Sequence, residues 1–121
     1  MSTIVYGIPN CDTVKKARVW LSEQGVDYTF HDYKKQGVPA ERVDAWIAAV
    51  GWEPLVNRQG TTWRKLDEAT KAGVVDAASA KALMLSQASV IKRPVIERDG
   101  VVVSVGFDAK RLDELAARLA A

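Results

Sequence analysis

With 48% apolar and 26% charged residues, a chain of 121 residues has the means to bury the core of one ordinary domain, which excludes disorder as the default. The net charge is only +2, with 17 Lys and Arg interleaved among 15 Asp and Glu, so electrostatics alone predicts no nucleic-acid binding. One cysteine and one histidine exclude an internal disulfide framework and leave too few soft ligands for a zinc or iron–sulfur centre.

The first apolar run, Ile4-Val5-Tyr6, reads as a strand. It gives way through Gly7-Ile8-Pro9-Asn10 to Cys11 and then to a helical pattern opening at Asp12-Thr13. That spacing points the thiol at a helix N-terminus, where free N–H groups and the positive end of the macrodipole favour an anion. Lys15 and Lys16 follow one turn later. A thiol so placed ionises more readily than a free one, and the thiolate is the reactive form. Thr13 is expected to help satisfy the helix N–H groups.

Val14, Ala17, Trp20 and Leu21 recur at helical spacing, and Gly25 supplies a left-handed stop. Arg18 is read as a solvated residue of this helix. Val26, Tyr28 and Phe30 then alternate with Asp27, Thr29 and His31, the signature of a strand with one buried face. Strand, helix and strand in so short a span predict a parallel crossover. His31, the sole imidazole, is read as a structural or surface residue.

Lys34-Lys35-Gln36-Gly37 breaks the pattern, and Pro39 begins a second helix with Val43, Trp46, Ile47 and Val50 on one face before Gly51. Residues 52–64 read as an irregular connection. Two short helices are expected at 66–72 and 77–85, split by Gly73. Val95-Ile96-Glu97 and Val101-Val102-Val103 flank Arg98-Asp99-Gly100, a hairpin signal. Asp108 is expected to cap a last helix whose inward face carries Leu112, Leu115 and Leu119. Trp20 and Trp46 fall on core faces, whereas Trp52 and Trp63 have no such assignment.

The order strand-helix-strand, helical insertion, hairpin and helix is the layout of an α/β protein with a thioredoxin-like fold. Its mixed four-stranded sheet would be divided in sequence by an insertion at roughly residues 38–88, within a single domain. In such a fold the loop before the first helix carries the thiol, and a proline entering the third strand faces it; Pro94 has that location.

Four segments in order, Gly7-Ile8-Pro9-Asn10-Cys11, Asn57-Arg58-Gln59-Gly60-Thr61, Ile91-Lys92-Arg93-Pro94-Val95 and Val105-Gly106-Phe107, resemble the arsenate reductase/Spx family. The run Ile8 to Ala17, with Gly60-Thr61-Thr62-Trp63-Arg64-Lys65, is similar to the YffB-type branch, described as glutathione-dependent thiol reductases. The resemblance implies that Cys11 is the nucleophile, that Arg58 and Arg93 are basic residues of the site, and that Pro94 is a cis-proline. Asn10 and Lys15 complete the expected glutathione- or substrate-binding set. Paired guanidinium groups can lower a thiol pKa and hold a carboxylate or oxyanion.

The implied activity is a monothiol, glutathione-dependent thiol–disulfide reduction acting on a small-molecule or protein disulfide. No tightly bound cofactor is expected, and glutathione serves as co-substrate. Two alternatives stand beside it: arsenate reduction with glutathione as thiol donor, and a Spx-like binding module that docks on a partner such as RNA polymerase. Arsenate reductases of the family carry a histidine shortly before the cysteine and a third arginine late in the chain, where this sequence has Gly7 and Gly106. Spx-type regulators often carry a second cysteine three residues after the first, where Val14 stands here. With no membrane-length apolar stretch and no leader-like N-terminus, a cytoplasmic monomer that binds neither membrane nor nucleic acid is expected.

Overall fold

The computed structural model describes residues 2–120. The described chain forms two compact units: one takes in the chain up to Gln36 together with the chain from Arg93 onward, and the other is Gly37–Lys92.

The first unit is built on four strands, β1 (Thr3–Gly7), β2 (Thr29–Asp32), β3 (Val95–Arg98) and β4 (Val101–Val105), in the order β2-β1-β3-β4. β1 runs parallel to β2 with Val5 opposite Phe30, and antiparallel to β3 with Val5 opposite Ile96. The parallel pair is joined by α1 (Asp12–Glu23), as a crossover requires. Helix α1 ends at Gly25, where φ is +72°. The Val26 amide donates to the Leu21 carbonyl and the Gly25 amide to the Ser22 carbonyl, the paired bonds of a Schellman stop that glycine makes without steric cost.

Beyond this stop the strand begins only at Thr29, three residues later than the alternation at Val26 suggests. Val26, Tyr28 and Phe30 nonetheless all pack against one core, formed by Val5, Leu21, Ile96, Val103, Leu115 and Leu119. Trp20 packs against it as well, 5.9 Å from the ring of Phe107. A short helical turn, α2 (Tyr33–Gln36), follows β2 where a break is expected, and Tyr33 is buried.

Asp99 and Gly100 both have positive φ, +51° and +81°, which matches the twist of the β3–β4 hairpin. The pairing shifts between Ile96 and Glu97, a bulge that alters the strand's twist. Asp108 accepts from the Lys110 amide at the head of a 3₁₀ turn, Ala109–Arg111. That turn leads into the last helix, Leu112–Ala120, whose Leu115 and Leu119 are buried. Arg118 ties this helix to β4 by donating to the Val103 carbonyl at 2.9 Å.

The second unit contains α3 (Ala40–Val50), α4 (Thr61–Lys65), α5 (Glu68–Ala72) and α6 (Ala77–Ser86), so the last helix of the first unit is α7. Pro39 is the residue preceding α3, and Val43 and Trp46 are buried. Val50 is 36% exposed, because it lies at the last turn where the helix stops at Gly51. The stretch 52–64 is not wholly irregular: it holds a 3₁₀ turn, Glu53–Leu55, and the start of α4. The helix expected at 66–72 begins instead at Glu68. Leu66 is extended and Asp67 caps α5 by accepting from the Thr70 amide. Asp76 and Ser79 form a reciprocal capping box on α6, satisfying two N–H groups at once. No helix among the described residues is long and apolar enough to cross a membrane.

Candidate functional site

The loop from Gly7 to Cys11 is fixed by close packing. A Cβ on Gly7 would lie 2.9 Å from Cγ2 of Val14, a fully buried side chain of α1, so only glycine lets the end of β1 approach the helix this closely. Ile8 is buried, while Asn10 is exposed at the mouth of the loop. Cys11 is the N-cap of α1, with extended backbone (φ −142°, ψ 123°). Its carbonyl accepts the first helical hydrogen bond from the Lys15 amide at 2.9 Å. Thr13 therefore lies inside the helix and is not its cap.

The thiol is half-buried. Burial pushes its pKa up, but the Val14 amide, the Arg93 side chain through a hydrogen bond and through its charge, and the Thr13 amide together outweigh burial and hold it below the free-thiol value. No well-aligned capping hydrogen bond forms at the sulfur, so the amide contribution is chiefly that of N–H dipoles facing a charge. Arg93 supplies the formal charge. It is followed by Pro94 through a cis peptide bond, at the entrance to β3, and the Pro94 carbonyl accepts from the Gly106 amide at 2.8 Å. Gly106 has φ +80°, a conformation that an arginine at this position would adopt only with strain. The two positions at which the chain departs from arsenate reductases are thus occupied by glycines with local structural reasons.

Cys11 and Arg93, the residue that enters the cis-proline, are brought together in the first unit. Asn10 is exposed in the preceding loop, whereas Lys15 is exposed on α1 beside Val19 and Glu23, and no side-chain contact among the described residues brings it to the thiol. Arg58 belongs to the second unit, at the tip of the turn Asn57 to Gly60. Arg18 departs from expectation. It is half-buried, its Nε donates to the Tyr28 hydroxyl at 3.0 Å, and its guanidinium lies 4.2 Å from the centroid of Phe30. It anchors α1 to the segment entering β2 and is not simply solvated.

A buried polar group was not anticipated from the sequence. Glu97, 2% exposed, accepts from the Tyr6 hydroxyl at 2.8 Å. The Tyr6 ring lies 5.1 Å from His31, which in turn lies 6.0 Å from Tyr33. This gives His31 its structural role. The Tyr33 hydroxyl is buried without a hydrogen-bond partner among the described residues. Burial, the neighbouring Tyr6 and the charge of Glu97 push its pKa far upward, with Arg93 acting against them. The signal in the sequence was a carboxylate inside the apolar run Val95-Ile96-Glu97, which only pays off in a fold that supplies it a donor.

Among the described residues no three His, Cys, Asp or Glu side chains converge to hold a metal ion. The arrangement instead suits nucleophilic sulfur chemistry: a half-exposed thiol, an electropositive surround and no second cysteine.

Comparison with known proteins places this geometry among relatives. An uncharacterised protein of Haemophilus influenzae is 41% identical over 106 residues, covering 88% of this chain and 91% of its own length. The solved structure of a protein called YffB superposes with a TM-score of 0.85 at 50% identity, covering 94% of this chain and 99% of the other. An arsenate reductase (ArsC) related protein from Brucella melitensis is 57% identical, with a TM-score of 0.75 and coverage of 93% and 92%. Residues 6–115 match the sequence pattern of the ArsC family, and that span holds the thiol loop, Arg58, Arg93 and the cis-proline. The chain belongs to the ArsC family.

Proposed function

We propose that the protein is a monothiol, glutathione-dependent thiol–disulfide reductase with Cys11 as its nucleophile. The reading rests on one observation above the others: Arg93 and the helix-end amides of Val14 and Thr13 outweigh burial and lower the Cys11 pKa. A larger thiolate fraction at neutral pH makes the sulfur a better attacking group, and partial exposure gives a disulfide access to it.

For a mixed disulfide of glutathione, the Cys11 thiolate attacks the glutathionyl sulfur. The Cys11–glutathione S–S bond forms, the substrate S–S bond breaks, and the departing thiolate takes a proton from solvent. A second glutathione, as thiolate, then attacks the Cys11-bound glutathione; oxidised glutathione leaves and the Cys11 thiolate is restored. The mixed disulfide and one free glutathione thus give the substrate thiol and oxidised glutathione: the substrate sulfur is reduced, and the glutathionyl group it carried leaves joined to the second glutathione. The chain has one cysteine, so an external thiol must perform the second step. Such chemistry suits a compartment whose glutathione pool is kept reduced.

Arsenate is the less suited substrate: the positions that carry a histidine and a third arginine in arsenate reductases are Gly7, crowded by Val14, and Gly106, with its left-handed backbone. The reductase reading is tested by steady-state turnover of a small glutathione mixed disulfide with glutathione present. Turnover that vanishes in Cys11→Ser supports it; equal turnover in the two proteins rejects it.

A further inference from the structure

The second unit holds an arginine between two indoles. The loop that carries it is pinned at both ends. The Asn57 amide donates to the Val90 carbonyl and the Lys92 amide to the Leu55 carbonyl, each at 2.7 Å, around the bridge between Val56 and Ile91. Asn57 to Gly60 then closes as a turn: the Gly60 amide reaches the Asn57 carbonyl at 3.4 Å, and the Asn57 side chain accepts from the Gln59 amide at 3.3 Å. A Cβ on Gly60 would stand 2.8 Å from the Asn57 side-chain nitrogen, so glycine permits the turn to be this tight. Arg58 is left at its tip.

Trp52 lies just before the 3₁₀ turn Glu53–Leu55, and Trp63 is on α4. The Arg58 guanidinium carbon lies 5.6 Å from the Trp52 ring centroid and 5.7 Å from that of Trp63. Both are within the range of attraction between a cation and an aromatic face, and indole is the strongest of the aromatic partners. Both indoles are half-buried while Arg58 is exposed. The rings are therefore the fixed part and the guanidinium the guest. An attraction of this kind uses none of the guanidinium N–H donors, which can still pair with a carboxylate.

Arg58 also lines an open cleft of about 310 Å³ with Asn57, Gln59, Lys92 and Glu53. Two cations and two amide side chains face a single acid there, which suits an anionic ligand. A long side chain normally loses rotamer freedom when it closes on a ligand, and a side chain already held loses less.

We propose that Trp52 and Trp63 are positioning residues that hold Arg58 ready to receive a carboxylate of glutathione. This rests on the reading of glutathione as co-substrate and adds to it which residues of the second unit prepare an arginine for that ligand's carboxylate. The test measures binding of S-methylglutathione, which keeps both carboxylates but cannot react, to the full chain by calorimetry, with its diethyl ester as the carboxylate-free control.

The expected result is that Trp52→Ala/Trp63→Ala binds the probe about two- to tenfold more weakly, the cost of ordering one long side chain. Trp52→Phe/Trp63→Phe should stay within about twofold of wild type, since phenyl rings retain a weaker attraction, and the ester should bind every variant equally poorly. Circular dichroism of each variant separates this loss from unfolding, and if the double alanine variant does not fold, each single alanine variant with its phenylalanine rescue gives the same comparison. Equal probe affinity in wild type and folded alanine variants overturns the proposal, as does an equal loss for the ester or no probe binding to wild type. A Cys11–glutathione adduct by mass spectrometry, measured separately, tells these failures apart from failure of the reductase reading.

Discussion

Arg93→Ala removes from Cys11 both a hydrogen bond and a formal charge. A hydrogen bond to a charged group contributes about 1.5–3 kcal/mol. Cys11 and Arg93 are both only half-buried, so solvent screening places the loss at the low end, and about 1.4 kcal/mol corresponds to a tenfold change in equilibrium. Below the titration of the thiol, the thiolate fraction should therefore fall about tenfold. The thiolate that remains is more basic and more nucleophilic, and a Brønsted coefficient of about 0.4–0.5 recovers about threefold.

The net expectation is that Arg93→Ala reacts with a small aromatic disulfide about threefold more slowly than wild type at neutral pH. The sign reverses in alkali. Wild-type reactivity should rise with pH and level off once Cys11 is ionised, at a lower pH than an ordinary thiol because its pKa is lowered; the variant should level off later and about threefold higher. Stopped-flow rates across pH resolve the crossing. Superimposed profiles, or a variant slower by one constant factor at every pH, would refute the argument. Arg93→Lys, which keeps a charge but not the planar fork, should fall between the two.

Tyr6→Phe deletes the phenol that donates to buried Glu97 at 2.8 Å; denaturant unfolding should show a loss of about 1–3 kcal/mol, and an unchanged midpoint would mean the carboxyl group finds an equal donor elsewhere. Gly7→Ala puts a Cβ 2.9 Å from the buried Val14, whose branched side chain has little rotamer freedom, so overpacking should cost about 1–3 kcal/mol; a wild-type melting curve would show that β1 and α1 can separate freely. Gly106→Arg, which writes the arsenate-reductase residue into a backbone at φ +80°, should lose about 1–2 kcal/mol from left-handed strain and gain no arsenate reduction; robust arsenite production from a stable variant would contradict this.

The sheet and its thiol loop were legible because local signals agreed with one another. The strand Ile4-Val5-Tyr6, the stop at Gly25 and the Asp99-Gly100 turn each have one favoured geometry, and the structure adopts it at all three. Alternation located the buried face around Phe30 correctly but placed the strand start too early, because a face can stay apolar through a loop that packs on the same core. Between 52 and 72 the pattern was weaker: short helices there are fixed by caps such as Asp67 rather than by an apolar stripe.

Cys11 could be named from its spacing and Arg93 from the resemblance, and the structure brings the two together. The Tyr6–Glu97 bond and the indoles around Arg58 could not be named, because the first joins residues 91 positions apart and the second brings together Trp52, just before a 3₁₀ turn, and Trp63 on α4. No periodicity connects such positions. Arg18 looked like a surface charge for the same reason: its partners, Tyr28 and Phe30, belong to the next segment of chain.

The account stands on Cys11 being a sulfur that glutathione both loads and unloads. The most direct measurement is intact-protein mass spectrometry after oxidised glutathione at neutral pH, followed by addition of reduced glutathione. Wild type should gain one glutathionyl group, located at Cys11, and lose it again on reduction, while Cys11→Ser gains none. A wild-type protein that folds normally yet stays at its unmodified mass would contradict the central claim.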